Sequence, residues 1–153
     1  MKLYRLTKAV YSNDLSGKGA EIAGGRWNSK GIALLYTAQS IALATTEIAV
    51  HVPLGILPKG YVAVTYELPE ENIIETLNAS KLPTDWKSIP HSHSTQIIGD
   101  EFILSKRALV LKVPSVVVQG EYNFLINPNH RDLNKLAILN IEPYEFDARL
   151  FFK

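Results

Sequence analysis

The fold depends most on residues 32–51, which read IALLYTAQSIALATTEIAVH. The first five residues form a short apolar run, which predicts a buried strand over 32–36. Thr37 or Ser40 can then cap a helix that runs to His51, because Ala and Leu dominate this part and a proline follows it closely. A strand followed directly by a helix therefore forms the centre of the sequence pattern.

Further strands and helices are predicted on both sides of this stretch. The clearest strand is YVAVTYEL at 61–68, which is dense in β-branched and aromatic residues. The glycine-rich residues 13–31 are expected to form a loop. The pattern also predicts strands over 2–6, 108–113, 115–119 and 122–126, short helices over 70–77 and 95–105, a turn at 127–130, and a final strand or two within 136–152.

The order of these elements predicts the fold class. Strands outnumber helices and do not alternate with them regularly, which is typical of an α+β fold with a mixed, mostly antiparallel sheet and a few helices. The chain has 153 residues, the usual size of one domain, and no repeat or linker-like segment interrupts it. We therefore predict a single domain over residues 1–153.

The composition excludes several classes of protein. Lys and Arg number 16 against 15 Asp and Glu, so the net charge of +1 argues against a surface for nucleic acid or anionic membrane. The absence of cysteine excludes disulfides, a thiol nucleophile and a zinc site built on thiolates. The four histidines lack metal-ligand spacing, so no metal site is expected. No run resembles a signal peptide or a membrane span, and a soluble, cytoplasmic protein is expected.

Glu47 is the first candidate for a functional residue. It is the only formally charged residue between Gly31 and Pro58, and it lies in the middle of the predicted helix. A carboxylate on so apolar a helix either occupies an exposed stripe, shared with Ala44 and His51, or points into a pocket that supplies partners. The sequence leaves both interpretations open.

A glycine-rich segment, GGRWNSKG at 24–31, contains the second candidate, Arg26. Glycine allows a backbone to approach a ligand closely, and the planar guanidinium of arginine suits phosphate. The segment matches neither GxxxxGK[ST] nor GxGxxG, the two common phosphate-binding patterns. The alternative is a hairpin turn with a solvated Arg26 and a Trp27 that caps the core.

Three further polar residues lie near the ends of predicted strands. Tyr36 closes the first apolar strand and either lines a cleft or belongs to the core. Ser115 follows Pro114 and lacks the GxSxG pattern of a serine nucleophile, so a turn is the alternative to a site role. Asn127 begins NPNH, a combination that is common in turns.

Seven segments of the chain, taken in order, resemble the RES-domain family. They are LYR (3–5), SGKGA (16–20), GGRWNSKG (24–31), LYTAQSIALATTEIAVH (35–51), VPS (113–115), NFLINPNH (123–130) and FDARL (146–150). The family is named after an arginine, a glutamate and a serine, and the matching positions here are Arg26, Glu47 and Ser115. The resemblance runs essentially from end to end, and residues 70–94 follow the family least.

The resemblance implies the toxin of a bacterial toxin–antitoxin pair, with a fold like that of ADP-ribosyltransferase toxins and NAD+ as the substrate. Some members of the family act as NAD+ phosphorylases or hydrolases, and others are described as placing ADP-ribose on proteins. The resemblance implies no cofactor, since NAD+ is consumed and inorganic phosphate or water accepts the ADP-ribose. A catalytically silent NAD+-binding or antitoxin-binding module is the third alternative.

The resemblance also implies a role for each charged candidate. Glu47 would stabilise positive charge on the ribose as the nicotinamide leaves, because this bond breaks through an oxocarbenium-like state. Arg26 would bind the pyrophosphate with its guanidinium fork, and Arg5 is a second candidate for that contact.

The polar candidates receive roles in the same way. Tyr36 would stack on the nicotinamide or the ribose, and Ser115 and Asn127 would fix hydroxyl or phosphate groups. Ser115 is expected to act by hydrogen bonding rather than as a nucleophile, because no histidine can be placed beside it.

The resemblance finally implies a protein partner. This would be an Xre-type antitoxin, a helix-turn-helix protein that carries the DNA contacts, which agrees with the near-zero net charge of this chain. A homodimer is implied as well, with no direct contact to nucleic acid or membrane.

Overall fold

The computed structural model describes residues 1–69 and 73–152, which form a seven-stranded sheet with three helices. The strands are β1 (Lys2–Lys8), β2 (Leu35–Ala38), β3 (Tyr61–Glu67), β4 (Ile74–Thr76), β5 (Val110–Pro114), β6 (Tyr122–Ile126) and β7 (Ala137–Tyr144). The helices are α1 (Lys18–Ala23), α2 (Ile41–His51) and α3 (His93–Ser105). Single 3-10 turns cover Ala9–Tyr11, Ala79–Lys81, Leu133–Lys135 and Ala148–Leu150.

The strands follow the order β4-β5-β6-β2-β1-β3-β7 across the sheet. The pair β4 and β5 is parallel, and the other five neighbouring pairs among the described strands are antiparallel. The prediction of an α+β fold with a mixed, mostly antiparallel sheet is therefore confirmed.

Side chains alternate along each strand, and the sheet packs buried apolar clusters on both of its faces. On one face, Ala38 packs with α2 and Leu125 packs with α3; we call this the helix face. Leu3 and Val64 lie on the opposite face, in a cluster of their own, and we call this the far face. Full burial of one such leucine contributes about 2 kcal/mol to stability.

Helix α2 forms as the sequence predicts and ends at His51, before Pro53. The Ser40 hydroxyl accepts a hydrogen bond from the Leu43 amide at 3.0 Å, so Ser40 is the N-cap. Leu43 and Ala44 are buried against the sheet.

Several other predictions are confirmed. Strands at 61–68 and 122–126 correspond to β3 and β6, and the strand at 2–6 continues to residue 8 as β1. The helix predicted over 95–105 is α3, which starts two residues earlier. Within residues 1–69 and 73–152, no helix is both long and apolar enough to cross a bilayer.

Two predictions fail where side chains hold the backbone. Residues 13–31 are not one continuous loop, because α1 forms at Lys18–Ala23 and the Asn28 side chain binds its Ala20 carbonyl at 2.8 Å. Residues 115–119 are not a strand, because the chain turns directly after Pro114.

Two further predictions fail at the ends of elements. The strand predicted over 32–36 lies at Leu35–Ala38, where it pairs with β6. The helix predicted over 70–77 falls partly on residues 70–72, which lie outside the described residues. Its remaining part includes β4, which forms a strand paired with β5 instead of a helix.

Candidate functional site

Glu47 points from α2 toward the ends of β5 and β6. Its Oε1 accepts hydrogen bonds from Ser115 Oγ at 3.0 Å and from Asn123 Nδ2 at 2.7 Å. Both bonds reach the same oxygen, and Oε2 has no hydrogen-bond partner among the described residues. The side chain is half-buried. Of the two interpretations left open by the sequence, the geometry favours the one in which the carboxylate has hydrogen-bond partners.

The Ser115 hydroxyl uses its full hydrogen-bonding capacity. It donates to Glu47, and it accepts from the backbone amides of Val117 at 3.1 Å and Val118 at 3.0 Å. The Ser115 amide donates to the Glu121 carbonyl at 2.8 Å, which closes the loop between β5 and β6. Ser115 is 4% exposed. Its hydroxyl therefore orients Glu47 and the loop, and it has no lone pair left for a further contact.

Helix α3 fixes the backbone around Arg26. Thr95 Oγ1 donates to the Arg26 carbonyl at 2.6 Å, and Gln96 Nε2 donates to the carbonyls of Gly25 and Asn28, each at 3.1 Å. One turn later, the Asp100 carboxylate accepts from both the amide and the hydroxyl of Ser29. The segment is held from one side along its length.

Close backbone packing adds to these hydrogen bonds. A Cβ at Gly99 would lie 1.6 Å from the Trp27 carbonyl oxygen, so only glycine allows α3 to approach this segment so closely. Trp27 itself is 3% exposed and packs in the cluster beneath α3. The expectation that Trp27 caps the core agrees with this arrangement.

The Arg26 side chain is half-buried and partly engaged. Its Nη1 donates to the carbonyls of Trp86 at 2.8 Å and Ser88 at 3.0 Å, while Nε and Nη2 make no hydrogen bond to any described residue. Burial lowers the pKa of the guanidinium, and the charge of Glu47 opposes this. Arg26 remains a cation, with one edge of its fork held and the rest available.

Tyr36 lies on the helix face, and its hydroxyl makes two hydrogen bonds. The hydroxyl accepts from the Trp27 amide at 3.1 Å and donates to Asn28 Oδ1 at 2.8 Å. Burial raises the pKa of the Tyr36 hydroxyl well above its ordinary value. Tyr36 therefore stays neutral, and its hydroxyl proton is committed to Asn28.

Charge links three of the candidates. Both Arg26 and Glu47 act on the pKa of Tyr36, in opposite directions, and Glu47 also acts on the pKa of Arg26. The structure thus brings Arg26, Tyr36 and Glu47 within electrostatic reach of one another, and Ser115 contacts Glu47 directly.

Arg5 is not brought to this group. It shares the far face with Leu3 and lies opposite Val64, whereas Glu47 reaches residues of the helix face. Its Nη1 donates to the Asp14 carbonyl at 3.0 Å, and its charge opposes the rise that burial causes in the pKa of Tyr66. Arg5 holds the chain after β1 against the sheet.

Asn127 is also separate from Glu47. It follows β6 at the end away from Asn123, about 13 Å along the strand at 3.3 Å per residue. It is fully buried, donates to the Ile103 carbonyl at 3.0 Å, and accepts from the Asn129 amide at 2.9 Å. These contacts are those of a turn residue that joins β6 to α3.

Two asparagines belong to the site although the sequence pattern did not single them out. Asn123 binds Glu47, and the fully buried Asn28 joins Tyr36 to the backbone carbonyls of Ala20, Ser29 and Ile32. A polar residue two positions before the buried Leu125 was the available signal for Asn123, because residues two apart share a strand face.

The described residues offer no obvious metal centre, since no group of three or more His, Asp or Glu side chains among them could hold an ion. An open cavity of about 280 Å³ lies at the other end of the β5–β6 pair. Its lining is mostly basic and consists of Ile73, Arg107, Ala108, His130, Arg131, Asp132 and Lys135. It shares no residue with the group around Glu47.

Relatives and a solved structure match nearly the whole chain. The Prs ADP-ribosylating toxin of Sphingobium sp. (strain YBL2) is 38% identical over 144 residues, which cover 93% of this chain and 89% of the relative. Toxin Res of Yersinia enterocolitica (strain NCTC 13174 / 8081) is 37% identical, covering 98% of this chain and 99% of its own length. Toxin Res of Photorhabdus laumondii subsp. laumondii is 38% identical, covering 98% and 97%.

The fold has a counterpart in the crystal structure of the M. tuberculosis MbcT-MbcA toxin-antitoxin complex. One chain of that complex aligns with a TM-score of 0.69 at 20% identity, covering 98% of this chain and 86% of its own length. This likeness concerns the fold. A family model described as the RES domain matches residues 2–147, from β1 to the segment after β7. Because that match covers nearly the whole chain, the chain belongs to the RES domain family.

Proposed function

We propose that this protein is a toxin enzyme that cleaves the nicotinamide–ribose bond of NAD+ and passes ADP-ribose to inorganic phosphate or water. The observation that carries the proposal is a carboxylate, Glu47, oriented by Ser115 within electrostatic reach of a guanidinium, Arg26, that α3 holds in place. The names of the relatives, two of them Toxin Res and one an ADP-ribosylating toxin, support the toxin assignment.

The chemistry requires little beyond these groups. The nicotinamide of NAD+ is already cationic, so it leaves with the electron pair of the C1′–N bond and needs no proton. Positive charge then develops on the ribose, as in glycoside cleavage. A preoriented carboxylate at Glu47 stabilises that charge more than it stabilises the substrate, which lowers the barrier. The acceptor oxygen bonds to C1′ and releases its proton to solvent.

The remaining residues hold the dinucleotide. Nε and Nη2 of Arg26 bind the pyrophosphate, because Nη1 is already committed to the Trp86 and Ser88 carbonyls. The ring of Tyr36 stacks on the nicotinamide or ribose, while its hydroxyl is bonded to the Trp27 amide and to Asn28. Arg5 and Asn127 have no part in this arrangement, because their contacts lie elsewhere.

A second candidate is the transfer of ADP-ribose to a protein. It is favoured by the relative from Sphingobium, whose name describes an ADP-ribosylating toxin and which is 38% identical to this chain. Both reactions use the same donor site and differ only in the acceptor that reaches C1′.

One experiment separates the candidates. The purified protein is incubated with NAD+, with and without phosphate, and the products are identified by mass spectrometry; the same reaction is then run with cell extract and labelled NAD+. Release of nicotinamide with ADP-ribose or its 1″-phosphate supports the first candidate, whereas label on an extract protein supports the second. If nicotinamide is not released under any of these conditions, both candidates fail.

We also propose an antitoxin partner of the Xre helix-turn-helix type, a homodimer and a cytoplasmic location. The M. tuberculosis structure of similar fold is a toxin-antitoxin complex, which supports an antitoxin partner; its type is inferred from the family resemblance. Coexpression with a neighbouring helix-turn-helix gene should restore growth to cells that express this chain. Growth that stays arrested, with no complex on purification, would argue against that partner.

A further inference from the structure

Asn123 occupies an unusual place in β6. In the sheet it lies opposite Ala38 of β2 and Val113 of β5, which are both buried and apolar. A polar amide between such neighbours is costly unless it has a partner. Its side chain donates from Nδ2 to Glu47 Oε1 at 2.7 Å. The distance is short for a neutral donor and is typical of a bond to a charged acceptor.

We propose that Asn123 is a positioning residue for Glu47, which together with Ser115 holds Oε1 so that Oε2 is the oxygen that meets the substrate. The identity of that substrate, the ribose of NAD+, rests on the proposed function. The contact between Asn123 and Glu47 does not.

Two hydrogen-bond donors fix the orientation of the Glu47 carboxylate, which one donor alone cannot do. A glutamate side chain has three rotatable bonds, and a single hydrogen bond to Oε1 leaves the carboxylate free to swing about that contact. Ser115 lies just after β5 and Asn123 lies in β6, so the two donors come from different elements and fix the plane of the carboxylate. Since both bind Oε1, Oε2 has no donor and retains its capacity to accept.

Asn123→Asp tests the contact without any substrate. The replacement keeps the size of the side chain but places a second carboxyl group beside Glu47 Oε1, and two carboxylates in contact cannot both ionise freely. The pKa of the introduced carboxyl is therefore raised in the folded protein. The folded state then binds more protons than the unfolded state in the acid range, so stability falls as the pH rises. Between pH 4.5 and pH 7.5, we expect the Tm of Asn123→Asp to fall by about 5 °C more than the Tm of wild type changes over the same range.

Two variants serve as controls in this measurement. Asn140→Asp makes the same replacement at an exposed position of β7 and should follow the wild-type pH dependence. Adding Glu47→Gln to Asn123→Asp should remove the extra pH dependence, because the neighbouring charge is gone. If Asn123→Asp follows Asn140→Asp at every pH, Asn123 does not contact the Glu47 carboxylate and the proposal is wrong.

Catalysis provides the second readout. Asn123→Ala removes one of two donors and should lower kcat about tenfold with little change in the KM for NAD+, because binding groups such as Arg26 are untouched. The kcat of Asn123→Asp relative to wild type should rise as the pH falls from 8 to 5, since the protonated carboxyl can again donate to Oε1. A folded Asn123→Ala protein with wild-type kcat would refute the positioning role. Lack of NAD+ cleavage by wild type would instead refute the proposed function and leave the Tm test to decide the contact.

Discussion

Ser115→Ala removes a hydroxyl that makes three hydrogen bonds at once. A bond to a charged group contributes about 1.5–3 kcal/mol, and a bond between neutral groups about 1 kcal/mol. The Val117 and Val118 amides are part-buried, so water replaces some of what they lose. We expect a net loss of about 2 kcal/mol, which lowers the Tm by about 4–8 °C.

The effect on activity should be separate from the effect on stability. Glu47 keeps its bond from Asn123, so its carboxylate is less well oriented but is not displaced. NAD+ cleavage at 25 °C should fall about tenfold, without being abolished. Ser105→Ala is the matched control, because the Ser105 hydroxyl, at the end of α3, also bonds to the backbone but has no carboxylate partner. It should lose stability and keep its turnover.

Mass spectrometry of the wild-type enzyme during turnover tests the reasoning most directly. A hydroxyl whose proton is donated to Glu47 and whose lone pairs are occupied should form no covalent bond to ADP-ribose. A transient ADP-ribosyl adduct on Ser115 along the reaction path would refute this. Complete loss of activity in a folded Ser115→Ala protein would refute the positioning role as well.

The other expected outcomes concern three residues of the site. Glu47→Gln should fold normally and lose on the order of a hundredfold or more in the rate of NAD+ cleavage, since an amide keeps the size of the side chain but not its charge. Wild-type turnover of this variant in a steady-state assay would remove Glu47 from the mechanism. Glu101→Gln is the control at an exposed position. Arg26→Lys should raise the KM for NAD+, because an ammonium cannot bind a pyrophosphate with two parallel bonds. If calorimetry shows that the lysine variant binds NAD+ as tightly as wild type, Arg26 does not bind the pyrophosphate in this way. Gly99→Ala should cost about 3 kcal/mol in chemical unfolding, because its Cβ would meet the Trp27 carbonyl, whereas Gly19→Ala, which meets nothing within 4 Å, should not. A Gly99→Ala protein as stable as wild type would show that α3 can shift freely.

The sequence allowed Glu47 to be found because a single charge in an apolar helix is visible without any structure. The position of α2 was equally accessible, since Ser40 and Pro53 mark its ends through local chemistry. The α+β class followed from the number of predicted strands and from their irregular order with the helices. These inferences depend only on residues that are near one another in the chain.

The rest depends on which strands become neighbours. Asn123 contacts Glu47 only because β6 lies between β2 and β5, and no pattern within β6 specifies that order. Arg5 illustrates the reverse case: its segment resembles the family, but its side chain lies on the far face, opposite Val64. Helix α1 was missed because the glycines in it and at its two ends favour a loop, although the Asn28 side chain holds the Ala20 carbonyl of α1 from outside the helix.

The contacts between α3 and the glycine-rich segment at 24–31 also couple the local unfolding of these two parts of the molecule. Thr95, Gln96, Gly99 and Asp100 all contact this segment, so the segment cannot open while α3 remains folded in place. Local opening of α3 would release Arg26 while the sheet stays intact. In native-state hydrogen exchange, the Ser29 amide, which donates to Asp100, should therefore exchange with the free energy of α3 rather than with that of the sheet.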